Sequence, residues 1–444
     1  MKRYIISGIL CILLISKSVY AERFTLDELI ELAIKNSKNV QMARQDTEIA
    51  GYNKLSALAN MGPKISTSAK YMHWNEPTDI SFGFQIPPQF ANMGINIPDK
   101  MHVMDQDTKD ISITIAQPIT PLYSMYNVYR LNSLNERATK LDLSVQIREI
   151  RYKTADAYFN LLKLMKTREN LLSSIKLIEA YREKTEQFYK NGMVQKDDVM
   201  KVEVKLAQIK DGLNEIDSAI NILKSSINIL IGRDKDADLE IQDSYTSEPS
   251  PFNVSLEDCI NKAIVNRKDA QSLRLRVDML SAKKEATFGT LIPSIVGLFT
   301  YSRQWGNAFQ KQESWFIGAS LSWTFWEWGS TYFQLKANQM EIEKGMAGLL
   351  AMTDGITLDV KNAYYKAKNS FDALLSNKKS IELAEEVYRI SVKKYENAQI
   401  TATEVLDAEN MLTTAKINYT NALYTYYLSL ENLKRAIDEY KEDL

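Results

Sequence analysis

The sequence predicts a mixed α and transmembrane-β chain: a helix-strand-strand-helix-helix unit written twice along 444 residues. Three observations carry this expectation. The chain opens with an export signal, two long stretches repeat without gaps, and short runs of period-two alternation sit between long runs of heptad alternation.

The opening comes first because it sets the compartment. Lys2 and Arg3 precede the apolar run "YIISGILCILLI", and "SKSVYA" ends in Val19-Tyr20-Ala21, a small-residue cleavage pattern. Residues 1–21 therefore read as a secretory signal peptide, whose apolar run of about a dozen residues is too short for the ~20 of a spanning helix. Cys11 lies inside the apolar run without the small residues that precede a lipoprotein cysteine. Cleavage moves the formal charge from −1 to −4, too mild a balance to imply a nucleic-acid partner. It also leaves Cys259 as the sole cysteine, so no internal disulfide can form. The two histidines, His73 and His102, both fall in a Pro-rich stretch, leaving little from which to build a triad or zinc site. No catalytic, cofactor or metal residue is expected.

The duplication is explicit. "TLDELIELAIKNSKNVQMAR" (25–44) matches "SLEDCINKAIVNRKDAQSLR" (255–274) at an offset of 230, and the register holds through Tyr71/Tyr301. From Ile111/Ile317 the offset is 206, again ungapped to the end of "YENAQITATEVLDAENML". The first copy thus carries 24 extra residues between Tyr71 and Ile111. The first repeat is placed at 22–231, a linker at 232–254, the second repeat at 255–437 and a tail at 438–444.

Each repeat begins with a helix capped by Thr25 or Ser255, with Glu28 or Asp258 three residues on. Pro63 and Pro293 end a helical stretch. Strands follow, expected over 63–73, 109–119, 293–303 and 314–325. Ile111, Ile113 and Ile115 alternate with Ser112 and Thr114. Ile317, Ala319, Leu321, Trp323 and Phe325 alternate with Gly318, Ser320, Ser322 and Thr324. One face for lipid, one for a polar lumen and tryptophans near the ends is the pattern of outer-membrane strands. A soluble sandwich shares the alternation, but the signal peptide and the flanking long helices favour the membrane. Four strands cannot close a barrel, so copies must combine, two giving eight strands and three giving twelve.

Long helices are expected over 127–190, 196–231, 331–396 and 402–437. From Val199 the apolar positions Val202, Leu206, Ile209, Leu213, Ile216, Ile220, Leu223, Ile227 and Leu230 keep a strict 3-4 spacing, the coiled-coil period. The helix over 127–190 carries two such seams, as in a ring of helices; an antiparallel bundle would also bury wide faces. Its length, roughly 95 Å at 1.5 Å per residue, suits a tube better than a globule.

With these residues in hand, the chain resembles the TolC-type outer-membrane efflux protein (outer membrane factor) family over nearly all of the exported portion. The paired "TLDELIELAIKNSKNV"/"SLEDCINKAIVNRKDA" openings carry the resemblance, and "YENAQITATEVLDAENML" carries it most specifically. It implies a homotrimer with a 12-stranded barrel in outer-membrane lipid and a 12-helix periplasmic tunnel, four strands per chain. It also implies a passive exit duct, with a periplasmic adaptor and an inner-membrane transporter as partners. Residues 232–254 would form an equatorial belt. Two departures stand out. Ala398 replaces a glycine common at the second tip, and neither Ile400 nor Thr401 supplies the basic residue some members use in a tip latch. A hydrogen bond from Tyr395 to Asp198 is the remaining latch candidate. The second strand pair also exits through "WEWGS" without the prolines Pro118 and Pro121 of "QPITP".

The turns Asn191–Lys196 and Asn397–Ala402 would be the periplasmic tip. Acids in the first turn of a helix complement its dipole, which accounts for Asp198 beside Lys196 and Lys201. Glu404 and Asp407 lie i, i+3 with no lysine or arginine between Lys394 and Lys416. Brought together threefold, they would form an acid ring at the gate, favouring cations. The extended segment 74–108, with Pro77, Pro87, Pro88 and Pro98, is expected as an extracellular loop; Met93, Met101 and Met104 are only a faint cue for copper or silver. The competing reading is a helical adhesin or structural stalk, in which the polar strand face would have no purpose.

Overall fold

The structure, a computed structural model, describes residues 23–81, 83, 100–245, 249–397 and 399–440. The signal-peptide residues 1–21, together with Pro87, Pro88, Met93, Pro98 and Ala398, lie outside the described residues. In chain order the elements are β1 (Arg23–Phe24), α1 (Leu26–Asn36), α2 (Lys38–Ala59), β2 (Lys64–His73), β3 (Thr78–Ser81), β4 (Lys100–Pro118), α3 (Leu122–Lys190) and α4 (Lys196–Leu230). There follow β5 (Glu240–Ile241), α5 (Leu256–Asn266), α6 (Lys268–Phe288), β6 (Ser294–Asn307), β7 (Glu313–Ser322), α7 (Ser330–Glu396) and α8 (Ala402–Ile437). Among the described residues no helix is long and apolar enough to cross a membrane. The chain divides into two units, to which α3 and α7 both contribute.

The sheet unit spans 43–144 and 268–354. Its strands run β2-β4-β6-β7, all neighbours antiparallel, so the pair from each repeat adjoins through β4 and β6. Directly opposed residues share a face. The ladder sets Ile65 against Ile115, Ile115 against Phe299, and Phe299 against Ile317. Ile111, Ile113, Ala319 and Leu321 fall on that same face. The opposite face carries hydroxyls that bond across the strands: Ser68–Ser112 at 3.2 Å, Thr114–Thr300 at 3.1 Å and Ser302–Ser314 at 2.9 Å. Ile317 is 76% and Leu321 66% exposed, a cost in water that only an apolar surround removes.

Two strand expectations are corrected. The segment expected as a loop over 74–108 contains β3 and the first nine residues of β4, whose ladder begins at Lys100 rather than 109. "KMHVMDQDT" lacks apolar alternation; polar side chains tie this part together, His102 bonding Asp79 at 2.8 Å and Asp105 at 2.7 Å. Trp323 and Phe325 lie beyond β7, which ends at Ser322. The last rung pairs Ser322 with Ser294; the next residue back is Pro293, which has no N–H to extend the ladder.

The prolines frame the strand-to-helix crossing. Pro118 closes β4, and Pro121 accepts the Met125 N–H at 2.9 Å as α3 begins. Between them Thr120 Oγ1 donates to the Pro293 carbonyl at 2.5 Å and accepts from the Ile295 N–H at 2.8 Å. Pro63 immediately precedes β2.

The helical unit spans 23–42, 145–267 and 355–440 of the described residues. Thr25 and Glu28 form a complete capping box at α1; Ser255 caps α5 with its hydroxyl alone. The linker is anchored by parallel pairing of β1 with β5 and by a group of aromatic side chains. Tyr245 packs on Phe159 at 5.0 Å and Tyr427 at 4.6 Å, and Tyr424 donates to Asp243 at 2.6 Å.

Candidate functional site at the helical hairpin tips

Both hairpins reverse by the same backbone device. In the first, Gly192 takes φ +73°, and the Met193 N–H reaches back to the Phe188 carbonyl at 2.8 Å. In the second, the Gln399 N–H reaches the Lys394 carbonyl at 2.9 Å, the same bond 206 residues on. This closes the last carbonyls of α3 and α7 in a Schellman turn.

The returning helices then diverge. Thr401 caps α8: its hydroxyl accepts from the Glu404 N–H at 3.4 Å, while the Glu404 carboxylate accepts from the Thr401 N–H and hydroxyl, both at 3.2 Å. At the matching position α4 has Gln195, which makes no capping bond. Asp198 instead lies 3.5 Å from Lys201, and Asp197 lies 3.0 Å from the same ammonium. The hydrogen bond from Lys201 holds the Asp197 carboxyl below the usual aspartate range.

The pairing expected between Tyr395 and Asp198 is not made. Tyr395 is buried, packs its ring at a tilt against Tyr181 at 5.0 Å and Phe188 at 5.6 Å, and donates its hydroxyl to Thr185 at 3.3 Å. It belongs to a core with Ile178, Val202, Leu206, Val405 and Leu406 that joins the two hairpins. Each such aliphatic side chain contributes about 1.5–3 kcal/mol on burial. A polar partner on α4 would have to sit within this apolar core.

Glu404 and Asp407 are both exposed on α8, as their spacing requires. Yet Asp407 does not stand apart from cations. It lines a groove with Leu406 and Asn410 of α8 and Lys201, Val204 and Lys205 of α4, and Lys205 donates to Asn410 at 2.9 Å. Counting charges along one helix misses those that its neighbour supplies.

Sequence reasoning also missed Glu409. It is 2% exposed; one carboxylate oxygen accepts from Ser174 on α3 and from Thr413 at 2.7 Å, and the other has no partner. Its place beside the Val405–Ala408–Leu412 seam was the available signal. No group of three or more His, Cys, Asp or Glu that could hold a metal occurs among the described residues. Met101 and Met104 lie on β4.

A duplicated pair of helical hairpins, together with an antiparallel sheet order that joins the repeats, defines the class: a subunit of the outer-membrane channel fold. The outer-membrane channel OprN has this fold, at TM-score 0.77 and 16% identity, over 93% of this chain and 89% of that one. So do VceC from Vibrio cholerae (0.77, 16%, 93% and 95%) and the CmeC channel of Campylobacter jejuni (0.77, 14%, 93% and 85%). Residues 259–438 match the family model described as outer membrane efflux protein. No curated protein matches the chain.

Proposed function

We propose that this chain is an outer-membrane efflux protein and one third of a passive exit duct, a homotrimer whose twelve strands close a barrel in outer-membrane lipid and whose twelve long helices form a periplasmic tunnel. The single observation that carries the reading is the four-strand register, which gathers Ile111, Ile113, Ile115, Ile317, Ala319 and Leu321 on one face and a bonded ladder of hydroxyls on the other. The first set faces lipid and the second lines a wet lumen. Strands β2 and β7 each have a free edge along the ladder, which neighbouring copies would pair. A stalk or adhesin has no use for the hydroxyl ladder. A periplasmic adaptor and an inner-membrane transporter supply cargo and energy, in a tripartite efflux or type I secretion system, and the hairpin tips are the end that opens toward them. Glu404 and Asp407 form the acid ring of that mouth, Asp407 with Lys201 and Lys205 close by.

The test is fractionation. The expected result is a heat-labile trimer in the outer-membrane fraction, lost on Ile317→Lys, because a cation at mid-bilayer on a strand costs about 2–4 kcal/mol. A monomer in the soluble periplasmic fraction, indifferent to that substitution, would overturn the reading.

A further inference from the structure

The chain has two histidines, and both lie against aspartates at the strand ends farthest from the helices. Their rings are held differently. His73 has Asp107 Oδ1 at 2.8 Å from Nδ1 and the Gln106 amide nitrogen at 3.4 Å from Nε2. A ring with one hydrogen, on Nδ1, completes that set: it donates to the carboxylate and accepts from the amide. His102 instead has carboxylates on both sides. Its Nδ1 lies 2.8 Å from Asp79 of β3 and its Nε2 2.7 Å from Asp105 of β4. An ionised carboxylate only accepts, so both ring nitrogens carry a hydrogen in this arrangement. A neutral ring would leave one carboxylate facing a bare nitrogen.

The backbone builds this bracket. On a regular strand, residues three apart point to opposite faces. β4 departs from regularity between Met104 and Lys109, where its register against β6 shifts, and Asp105 comes round to the His102 ring. β3 has its own register shift at Thr78/Asp79, which sets Asp79 opposite His102. β3 is four residues long, exposed throughout, and pairs only with β4 among the described residues. Among those residues the Asp79–His102 bond is the one side-chain hydrogen bond that ties it there. Asp79 and Asp105 are the charged groups that face the ring from β3 and β4, and β6 brings the uncharged Gly306 beside Asp105.

We propose that His102 is a proton-dependent clasp for β3: the protonated ring bridges Asp79 to Asp105 and holds the short strand on β4, and loss of the proton releases it. His102 precedes the continuous ladder of Lys109–Pro118, so it stands outside the lipid-facing alternation. The hydrogen bonds to Asp105 and Asp79 hold the ring's pKa above the ordinary histidine value. With a raised folded value, the clasp is whole below the unfolded pKa, about 6.5, and is lost as pH rises through the folded one. The ring and both acids are partly exposed, so salt weakens the clasp. Only its placement at the exit mouth rests on the duct reading; the clasp itself lies within the sheet unit of one chain.

The experiment uses full-length protein labelled with isotope in histidine, whose two ring signals are assigned with His73→Gln and followed as pH is raised through neutrality. A spin label at Ile80→Cys, on the strand face opposite Asp79, reports the mobility of β3 in parallel; native Cys259 is buried. The expected result is a His102 ring that titrates above the ordinary histidine value, with label mobility rising at the same midpoint. Asp79→Asn should lower that midpoint severalfold in proton affinity, and His102→Gln should abolish the mobility step. A ring that titrates at or below the ordinary value overturns the inference. So does a label whose mobility ignores the ring's titration, or keeps its step in His102→Gln. A native monomer in the soluble fraction would overturn the duct reading, and the same spectra would still decide the clasp.

Discussion

The two hairpin tips are the same sentence written twice, yet they solve the helix start differently. The second spends Thr401 and Glu404 on a reciprocal capping box; the first places Gln195 and Asp198 at those positions and gains only ion pairs to Lys201. Tyr395 is buried in the core that joins the hairpins, whereas its counterpart Tyr189 is exposed. Duplication therefore keeps the backbone path while leaving each copy free to change its side chains and meet a different neighbour. Burial of the copied residue, more than its identity, decides what it contributes.

The sharpest way to break this comparison is to truncate the paired tyrosines. Tyr395→Ala empties a site packed against Tyr181 and Phe188 and should destabilise the chain by about 3–5 kcal/mol. Tyr189→Ala should leave the fold of the chain intact and lower the temperature at which the oligomer dissociates. Thermal melts paired with heated and unheated gels separate the two; equal effects would mean that the exposure difference carries no energetic weight.

Smaller effects sharpen the capping contrast. Thr401→Ala should cost about 1 kcal/mol by freeing the first amides of α8, while Gln195→Ala should cost nearly nothing. Gly192→Ala should cost about 1–2 kcal/mol for its left-handed backbone alone, since an added Cβ would meet nothing within 4 Å. Denaturant midpoints at constant slope report each. Conversely, Gln195→Thr with Asp198→Glu should build the missing capping box and raise stability by about 0.5–1 kcal/mol.

The smallest effect is electrostatic. Lys201 holds the Asp197 carboxyl below its ordinary value, so the ion pair's stabilisation is present above the unfolded aspartate pKa. It is lost as pH falls through the lowered folded value. Both groups are exposed, so the effect is slight and salt should remove it. Acid melts of Lys201→Met against the parent, at low and high salt, would show it.

The long helices and the strand faces were legible because they are periodic: a heptad seam and a two-residue alternation each leave a trace that no neighbour can erase. The outer part of β4 left no such trace, because "KMHVMDQDT" is held by histidine–aspartate bonds in place of a packed face. The end of β7 was misplaced because the apolar alternation runs on into Trp323 and Phe325, while the ladder stops opposite Pro293. The tip was legible as a turn and only partly as chemistry. Glu404 was visible, but its engagement with Thr401 competes with a purely gating role, and the lysines beside Asp407 come from α4. Glu409 was hidden because an acid beside a seam looks solvated until the partner helix is placed over it.

The central claim is that the duplicated tips close one end of a conducting tube. The most direct measurement is single-channel conductance of the purified full-length oligomer in planar bilayers, compared with Glu404→Ala/Asp407→Ala. The account predicts a small cation-selective conductance in the parent, and weaker cation selectivity with altered conductance in the double variant. A folded outer-membrane oligomer that carries no current in either form, with or without its adaptor, would contradict it.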